Sequence, residues 1–502
     1  MTFNIIAASQ ERRQEDGLSP SKSALRSFLE AAIISLAKKS LIDKEGWMGI
    51  VLRNITAVID GATAVKTINL RIDGKRISTI SEDPLPINPG ETVIEGEGKL
   101  AIPGLVNAHS HLPMVLFRGL ADDLPLRTWL EDHIWPVERE LSPKDVYWAS
   151  LLGLAEMIRA GTTMCADMYF YTNEVGRAVE EVGLRAVLSY GVVASELDAH
   201  GKAELKKAEA VITRWEGAGD GRIKTALSPH AVYTCGEEVW KAAIELAQKY
   251  EVILHTHLAE TREEVEQCRA QRGLSPVATL DRFGALSIPV LAAHCVHVDK
   301  DDIHLLADRE VSVVHCPKSN AKLGSGIAPI VAMQKAGVTV ALGTDGAAAN
   351  NSLDMIEEMR MAALLQKVSS EDPTVLPARE VALMATQAGA KALRTGAQEL
   401  AVGQDADIVL VDLDCVRTLP IYDPLSALVY AAHSQDITDV MVAGRFLLRD
   451  RELVTIDEEK VKQEVNHLSK RYTNRAIPSW ESGKSLPRER EIPPSGSGTK
   501  ED

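Results

Sequence analysis

Residues 105–111, LVNAHSH, end in two histidines that are one residue apart. In a β-strand, alternate side chains share a face, so the imidazoles of His109 and His111 are predicted to point to the same place. Neutral imidazole is a common metal ligand. The pair is therefore a candidate for binding a metal ion at the end of a buried strand.

Five further apolar, strand-like runs also end in polar side chains. They are IKTALSPH with His230, VILHTHLAE with His255, His257 and Glu260, VLAAHCVH with His294 and His297, VSVVHCPKSN with His315 and Ser319, and VTVALGTDG with Asp345. A single histidine at a strand end is more often a hydrogen-bonded structural group, but the set predicts one metal site. Its predicted ligands are His109, His111, His257 and Asp345. Four histidines away from strand ends are interpreted as surface or structural residues: His200, His304, His433 and His467.

Three imidazoles and one carboxylate suit Zn²⁺, with Fe²⁺ and Mn²⁺ as alternatives. No lysine ends a middle strand where, once modified, it could bridge two ions, so one metal per subunit is expected. Such a site lowers the pKa of a bound water towards about 7, which makes hydroxide available.

Three side chains near the predicted metal are expected to take part in proton transfer. Glu260, three residues after His257, is predicted to carry a proton between water and substrate. The alternative is a carboxylate that stabilises a helix N-terminus. His294 is predicted to polarise the water, or else only to hydrogen-bond a neighbour. Asp345 is predicted both to bind the metal and to accept the proton of the nucleophile.

These strand ends must converge, which requires a fold that gathers them at one face. In EMIRAGTTMCAD, EEVGLRAVLSYG and MQKAGVTVALGTD, a helical pattern ends at glycine and a β-branched strand follows. Repeated units of this kind predict a parallel sheet, and about 300 residues of them suit a (β/α)8 TIM-type barrel, whose active site lies at the carboxyl ends of the strands. An open doubly wound sheet is the second choice.

The barrel is expected to carry a small β-sandwich domain formed from both chain ends. The predicted divisions are an N-terminal extension that is partly helical (1–47), the first part of the sandwich (48–102), the metal-dependent barrel (103–395), the second part of the sandwich (396–455), and a C-terminal tail that is helical and then disordered (456–502).

The bulk composition excludes some functions. The chain has 502 residues with 55 basic and 71 acidic side chains, a net charge of -16, which argues against a general nucleic-acid binder. No apolar run approaches the roughly 18 to 20 residues of a membrane span. Six scattered cysteines without CxxC pairs predict reduced thiols and a cytoplasmic location. We also expect a homo-oligomer.

The motifs PGLVNAHSHL, HTHLAET, AAHCVHV, HCPKSNAKLGSG, LGTDGAAANNSLDM and GQDADIVLVD together resemble the amidohydrolase superfamily over roughly residues 48–455. Within it, the segment MVLFRGLADDLPLRTWLEDHIWPVE is most similar to the 5'-methylthioadenosine/S-adenosylhomocysteine deaminase family, which has chlorohydrolase relatives. The resemblance implies a zinc-dependent hydrolytic deamination of a small-molecule purine nucleoside to the inosine analogue, with release of ammonia.

The resemblance also assigns residues. It implies the same four metal ligands, Glu260 as proton shuttle and His294 as the remaining catalytic histidine, with Glu260 and Asp345 also touching substrate. Glu138 matches a carboxylate that binds the ribose hydroxyls, whose alternative is an acidic helix start, and His230 matches another substrate contact. Trp129 and Trp135 are candidate walls for the purine or, equally, core residues.

One departure concerns the substrate. Relatives often carry arginine in the strand that corresponds to LRAVLSYGVV, where this chain has Tyr190, with Arg185 at the strand's start. A substrate without a carboxylate-bearing tail is therefore an open option: methylthioadenosine, 5'-deoxyadenosine or adenosine. Two other functions stay open, an aminohydrolase or chlorohydrolase for a triazine or related heterocycle, and a catalytically silent scaffold.

Overall fold

The computed structural model describes residues 49–59, 64–396 and 398–476. The predicted N-terminal extension (1–47) and the predicted disordered end of the chain lie outside these residues. Among the described residues, no helix combines the length and the apolar character needed to cross a membrane.

Seventeen strands are present in the described ranges. In chain order they are β1 (Ile50–Ile59), β2 (Ala64–Asp73), β3 (Arg76–Ser81), β4 (Thr92–Glu95), β5 (Lys99–Pro103), β6 (Leu105–Ser110), β7 (Thr162–Tyr169), β8 (Arg185–Val192), β9 (Ile223–Pro229), β10 (Ile253–Leu258), β11 (Val290–His294), β12 (Ser312–His315), β13 (Thr339–Leu342), β14 (Ile408–Asp412), β15 (Ile437–Val442), β16 (Arg445–Arg449) and β17 (Glu452–Leu453).

The helices of the same ranges mostly follow barrel strands. They are α1 (Leu126–Thr128), α2 (Trp135–Glu138), α3 (Pro143–Arg159), α4 (Thr172–Val182), α5 (Ala199–Trp215), α6 (Glu237–Tyr250), α7 (Arg262–Arg272), α8 (Pro276–Phe283), α9 (Lys300–Asp308), α10 (Pro317–Lys322), α11 (Ile330–Lys335), α12 (Ala347–Asn350), α13 (Met355–Ser370), α14 (Ala378–Met384), α15 (Gln387–Ala392), α16 (Pro424–Ser426) and α17 (Glu458–Ala476). Short 3₁₀ turns lie at Leu112–Phe117, Ala285–Ser287 and Ser434–Asp436, and π-helical turns at Trp129–Ile134 and Ala427–Ala431.

Strands β6 to β13 form one parallel sheet in sequence order. Its first and last strands meet where the Asp345 N–H donates to the His109 carbonyl, at 3.0 Å. The Thr344 N–H likewise donates to the side-chain oxygen of Asn107, at 3.0 Å. The sheet therefore closes on itself as the predicted eight-stranded barrel, and the open doubly wound alternative is wrong.

The glycine junctions of the sequence have a conformational cause. Gly183 ends α4 with φ +93°, and Gly337 follows α11 with φ +92°. Both values lie in the left-handed region, which glycine enters without a Cβ penalty. Each glycine thus ends a helix and returns the chain to the next buried barrel strand, which is why the pattern predicted αβ units.

The remaining nine strands form a second sheet, in the order β17-β16-β15-β14-β5-β1-β2-β3, with β4 also paired to β1. Strands from the two chain ends meet where β14 pairs antiparallel with β5. This second sheet has a separate apolar core, in which Leu52 of β1, Leu70 of β2 and Leu410 of β14 are fully buried. This β unit built from both chain ends confirms the second half of the predicted fold class.

The connection from β6 to α3 covers the carboxyl end of the barrel. It contains the 3₁₀ turn after His111, then α1, a π-helical turn and α2. An ion pair ties this connection to α10: Lys322 Nζ of α10 lies 2.7 Å from Oδ1 of Asp122 in the connection. The segment therefore forms a roof over the strand ends that carry the predicted site.

Candidate metal centre and substrate cavity

Three histidine side chains converge at the carboxyl end of the barrel. His109 and His111 come from the end of β6, and His257 comes from β10, across the barrel. One ring nitrogen of each lies within 4.8 Å of the others, a spacing that could hold one metal ion. The alternation along β6 and the closure of the barrel bring these side chains together.

The hydrogen bonds of two rings identify which nitrogens carry protons. His111 Nδ1 lies 2.5 Å from the Met168 carbonyl, and His257 Nδ1 lies 3.0 Å from the His230 carbonyl. A carbonyl only accepts, so both Nδ1 atoms donate, and in the neutral rings each Nε2 carries a lone pair. These Nε2 atoms face each other at 3.2 Å. Two Nε2 atoms at that distance need a positive charge beside them, carried either by a proton on His111 or by a bound divalent cation.

His109 completes the set through a second histidine. Its Nδ1 lies 2.8 Å from Nε2 of His255, which stands two residues before His257 on β10. His109 is fully buried, and its Nε2 has no hydrogen-bond partner among the described residues. A buried nitrogen without a partner is costly, and a metal ion at the point where the rings converge would satisfy it.

Asp345 brings a carboxylate to the same point. Its Oδ1 lies 3.3 Å from His111 Nε2 and 3.6 Å from His109 Nε2. Ser319 donates to Oδ2 at 2.6 Å, and the Gly346 N–H donates to Oδ1 at 2.7 Å. Burial opposes ionisation, but the two histidines outweigh it and hold the pKa of Asp345 well below its usual range.

A buried side-chain network supports the turn that carries Asp345. Asn350 donates both to the carbonyl of Thr344, at 2.7 Å, and to Glu358 Oε1, at 2.6 Å. The Lys318 N–H donates to the other Glu358 oxygen, at 3.3 Å. Burial raises the pKa of Glu358 to about 8. Helix α13 thereby fixes the backbone next to Asp345, whose φ of +63° is left-handed.

The charge balance of the centre favours a cation. Burial lowers the pKa of His109 to about 4, that of His230 to about 3, and that of His257 well below its usual value. At His111 burial is outweighed by Asp345, which raises the pKa to about 9. Positive charge is thus favoured at the position between His111 and Asp345, and the remaining imidazoles are neutral and free to coordinate.

Glu260 and His294 stand side by side next to this centre. Glu260 Oε2 lies 3.8 Å from His294 Nε2. His294 Nδ1 lies 2.9 Å from the side-chain oxygen of Asn320 and therefore donates to it, which leaves Nε2 as an acceptor facing the cavity. Burial raises the pKa of Glu260, so this carboxyl group holds a proton more readily than an exposed one.

A cavity of about 740 Å³ opens from the centre towards the ends of β7, β8 and β9. Seven of the eight predicted site residues line it: His111, Glu138, His230, His257, Glu260, His294 and Asp345. The eighth, His109, is fully buried behind them. Trp129 and Trp135 of the roof also line it. Burial raises the pKa of Glu138, which lies beside Tyr169. The volume fits a small organic ligand.

One wall of the cavity carries a paired charge. Lys207 of α5 lies 2.6 Å from Glu204 Oε1, and Tyr190 of β8 donates to Glu204 Oε2 at 3.0 Å. Glu204 is buried beneath this wall. Besides Lys207, Arg139 at the exposed mouth is the one lysine or arginine among the described lining residues.

Several contacts of the centre were missed by the sequence reasoning. His255, Ser319 and Asn320 were given no role, yet each hydrogen-bonds a predicted site residue. Their signal was positional, because His255 alternates with His257 on β10, and Ser319 and Asn320 lie in α10, the short helix that follows β12. The four histidines interpreted as surface residues, His200, His304, His433 and His467, are exposed.

The chain matches the Amidohydrolase family model over residues 100–447. A 5-methylthioadenosine/S-adenosylhomocysteine deaminase from Pelotomaculum thermopropionicum is 44% identical over 419 residues, 83% of this chain and 95% of the relative. A 5'-deoxyadenosine deaminase from Methanothermobacter thermautotrophicus is 46% identical over 404 residues, 80% of this chain and 94% of the relative.

Two solved structures share the fold. A zinc-bound adenosine deaminase from Xanthomonas campestris superimposes with a TM-score of 0.80 at 35% identity, covering 85% of this chain and 98% of the other. An atrazine chlorohydrolase from Arthrobacter aurescens, complexed with zinc, gives a TM-score of 0.78 at 25% identity, covering 84% of this chain and all of the other.

Proposed function

The chain belongs to the amidohydrolase family, and on that premise we propose that it hydrolytically deaminates an adenosine-type purine nucleoside. Water replaces the amino group at C6, and the products are the inosine analogue and ammonia. The observation that carries this proposal is the convergence of four ligand candidates with Glu260 and His294 at one end of a cavity that has room for a nucleoside.

We propose that the four converging side chains hold one Zn²⁺ per subunit. The residues are His109, His111, His257 and Asp345. Imidazole nitrogens and an ionised carboxylate are the ligand types that zinc prefers, and a bound cation would take the place of the proton that Asp345 favours on His111. When bound, the metal would supply Lewis acidity that activates water near neutral pH.

Glu260 is proposed to move the first of the two protons that the reaction transfers, from the water to N1. Addition of water at C6 shifts an electron pair onto N1 of the purine, which then needs a proton, and the leaving amine needs another. Glu260 lines the cavity, and burial raises the pKa of its carboxyl group, so it can take a proton from water and give it up to the substrate. Its Oε2 lies 3.8 Å from His294 Nε2, a separation that would let both groups act on the same carbon of a bound nucleoside.

His294 and Asp345 are proposed to act on the attacking water. Asn320 fixes the proton of His294 on Nδ1, so Nε2 accepts a hydrogen bond from the water and orients it. Asp345 stays ionised because His109 and His111 keep its pKa low. A proton that it accepts from the water is therefore held briefly and passed on to the leaving group.

Glu138 and His230 are proposed to bind the nucleoside. The Glu138 carboxylate lines the cavity and can accept hydrogen bonds from both hydroxyls of the ribose. His230 is neutral because burial lowers its pKa to about 3, so it offers one donor or acceptor to the base without a charge. Trp129 and Trp135 provide apolar surface for the purine.

The cavity wall formed by Tyr190 and Lys207 is proposed to determine which substituent the nucleoside can carry at its 5' position. Lys207 is already paired with Glu204, so a carboxylate tail would have to compete for it. We therefore propose that 5'-methylthioadenosine, 5'-deoxyadenosine or adenosine is a better substrate than S-adenosylhomocysteine. We also propose a cytoplasmic location and a homo-oligomer, the latter tested by light scattering of the purified protein.

A substrate panel read by ammonia release tests the proposal. Purified protein, assayed for zinc content, is mixed with the four nucleosides and with a chlorotriazine. Ammonia from one or more nucleosides, at rates above any turnover of the triazine, supports the deaminase. Faster turnover of the triazine favours the alternative function, a triazine aminohydrolase or chlorohydrolase, which the similarity to the atrazine chlorohydrolase structure also suggests. Protein that binds less than about half an equivalent of zinc and stays inert after zinc is added would be the silent scaffold.

A further inference from the structure

Three helices of the barrel, α3, α7 and α9, carry a buried acidic residue at their third position. At the start of α3, Asp145 accepts from the N–H of the cap residue Ser142 at 2.8 Å. At the start of α9, Asp302 accepts from the N–H of the cap residue Asp299 at 3.3 Å. Both are ordinary capping boxes, in which the acid secures the first turn of its own helix.

Helix α7 begins differently. Its cap residue Thr261 accepts from the Glu264 N–H at 3.1 Å, as in a capping box. The Glu264 carboxylate, however, reaches past Thr261 to the preceding turn, where it accepts from the N–H groups of Ala259, at 3.1 Å, and Glu260, at 2.7 Å. This carboxylate therefore holds the backbone that carries the proposed proton shuttle.

The turn at Ala259 needs such support. Ala259 has φ +50°, a left-handed conformation that a residue with a Cβ adopts only at a cost. On its carbonyl side, the turn accepts from the N–H groups of Val296 and His297, at 3.0 and 2.9 Å. These residues directly follow the turn of His294. The N–H side is held by Glu264, so the turn is clamped from both sides.

We propose that Glu264 is a positioning residue, which fixes the Ala259–Glu260 turn and thereby aims the Glu260 carboxylate at the reacting carbon. Glu264 is buried and is absent from the cavity lining, so it acts through Glu260 and not on the substrate. The inference rests on the proposed deamination and on the role of Glu260 in it.

Glu264→Gln tests the contact with little change of volume. The amide has one acceptor oxygen, and its NH₂ group would face one of the two backbone donors. Because general acid–base catalysis contributes roughly a hundred- to ten-thousand-fold, loss of alignment is expected to lower kcat on the order of ten- to a hundred-fold. KM for the nucleoside and zinc content stay near the wild-type values, because the ribose contacts and ligands are untouched.

A double-mutant cycle separates positioning from a general loss of structure. If Glu264 acts through Glu260, Glu264→Gln lowers kcat in the wild type but adds no further loss to Glu260→Gln. Asp302→Asn is the matched control, because it alters a buried acid at the same position of α9 without touching the turn of Glu260. This control is expected to leave kcat unchanged even if it lowers thermal stability.

The outcomes are distinguishable. Equal losses from Glu264→Gln in both backgrounds, or a loss of zinc in that variant, would overturn the inference while the deaminase stands. A wild-type protein that releases no ammonia from any nucleoside refutes the proposed function and the inference with it. If Glu264→Gln does not yield folded protein, Glu264→Asp is measured instead. It keeps the charge but shortens the reach, and the same loss of kcat without loss of zinc is expected.

Discussion

Replacing one buried carboxyl group behind the metal centre should change how the free energy of unfolding depends on pH. Glu358 of α13 is fully buried and accepts from Asn350, which in turn holds the carbonyl of Thr344 next to Asp345. Burial raises the pKa of Glu358 to about 8, against 4.5 for the exposed group. The variant Glu358→Gln keeps the volume and the acceptor for Asn350 but cannot ionise.

The sign and size follow from linkage. Between pH 4.5 and about 8, the folded chain keeps the Glu358 proton that the unfolded chain has released, so stability falls as pH rises through this window. Each pKa unit is worth about 1.4 kcal/mol, so the whole difference amounts to a ceiling of about 5 kcal/mol. The variant loses one weak hydrogen bond to the Lys318 N–H, a cost that does not vary with pH. As pH rises from 4.5 to about 8, the free energy of unfolding of Glu358→Gln is therefore expected to increase relative to that of the wild type by up to about 5 kcal/mol.

The assay is urea unfolding followed by tryptophan fluorescence at a series of pH values, for wild type and Glu358→Gln. Glu357→Gln is the control, because Lys318 and Ser352 outweigh burial and lower the pKa of the partly exposed Glu357. The contribution of Glu357 is lost only as pH falls below 4.5, so this control keeps the wild-type slope above that value. Parallel curves for wild type and Glu358→Gln between pH 4.5 and 8 would refute the reasoning.

Three further predictions concern the site. His109→Ala should lower both zinc content and turnover, since the remaining ligands no longer fix the geometry; full zinc occupancy, measured by elemental analysis, would contradict the ligand assignment. Glu138→Gln should lower kcat/KM for adenosine about ten- to a hundred-fold by weakening charge-assisted hydrogen bonds to the ribose, but should barely affect a dideoxy analogue, and an equal loss for both would exclude the diol contact. Glu204→Gln should free Lys207 and raise kcat/KM for S-adenosylhomocysteine relative to 5'-methylthioadenosine; an unchanged ratio would show that the tail does not reach Lys207.

The fold was predictable because its signals are local. Glycines such as Gly183 and Gly337 end helices just before buried strands, and polar residues cluster where those strands stop. Parallel strands in a closed barrel share one carboxyl face, so the polar clusters had to meet there. The convergence of the ring nitrogens of His109, His111 and His257 follows from that rule alone.

The parts that could not be predicted depend on contacts between distant elements. The bond from Ser319 to Asp345 and that from Asn320 to His294 require the exact rotation of α10 against two strands. Glu264 stands at the third position of α7, where an acidic residue ordinarily caps its own helix, and only the folded turn at Ala259 shows that its carboxylate reaches further back. Hydrophobic periodicity carries no information about such side-chain partners.

The most direct test of the account is the reaction of the zinc-loaded protein with 5'-methylthioadenosine in water enriched in the heavy oxygen isotope. The account predicts one ammonia released for each nucleoside consumed, and a purine product carrying one heavy oxygen at C6. Nucleoside consumed without ammonia, or a product without the solvent oxygen, would contradict hydrolytic deamination at this site.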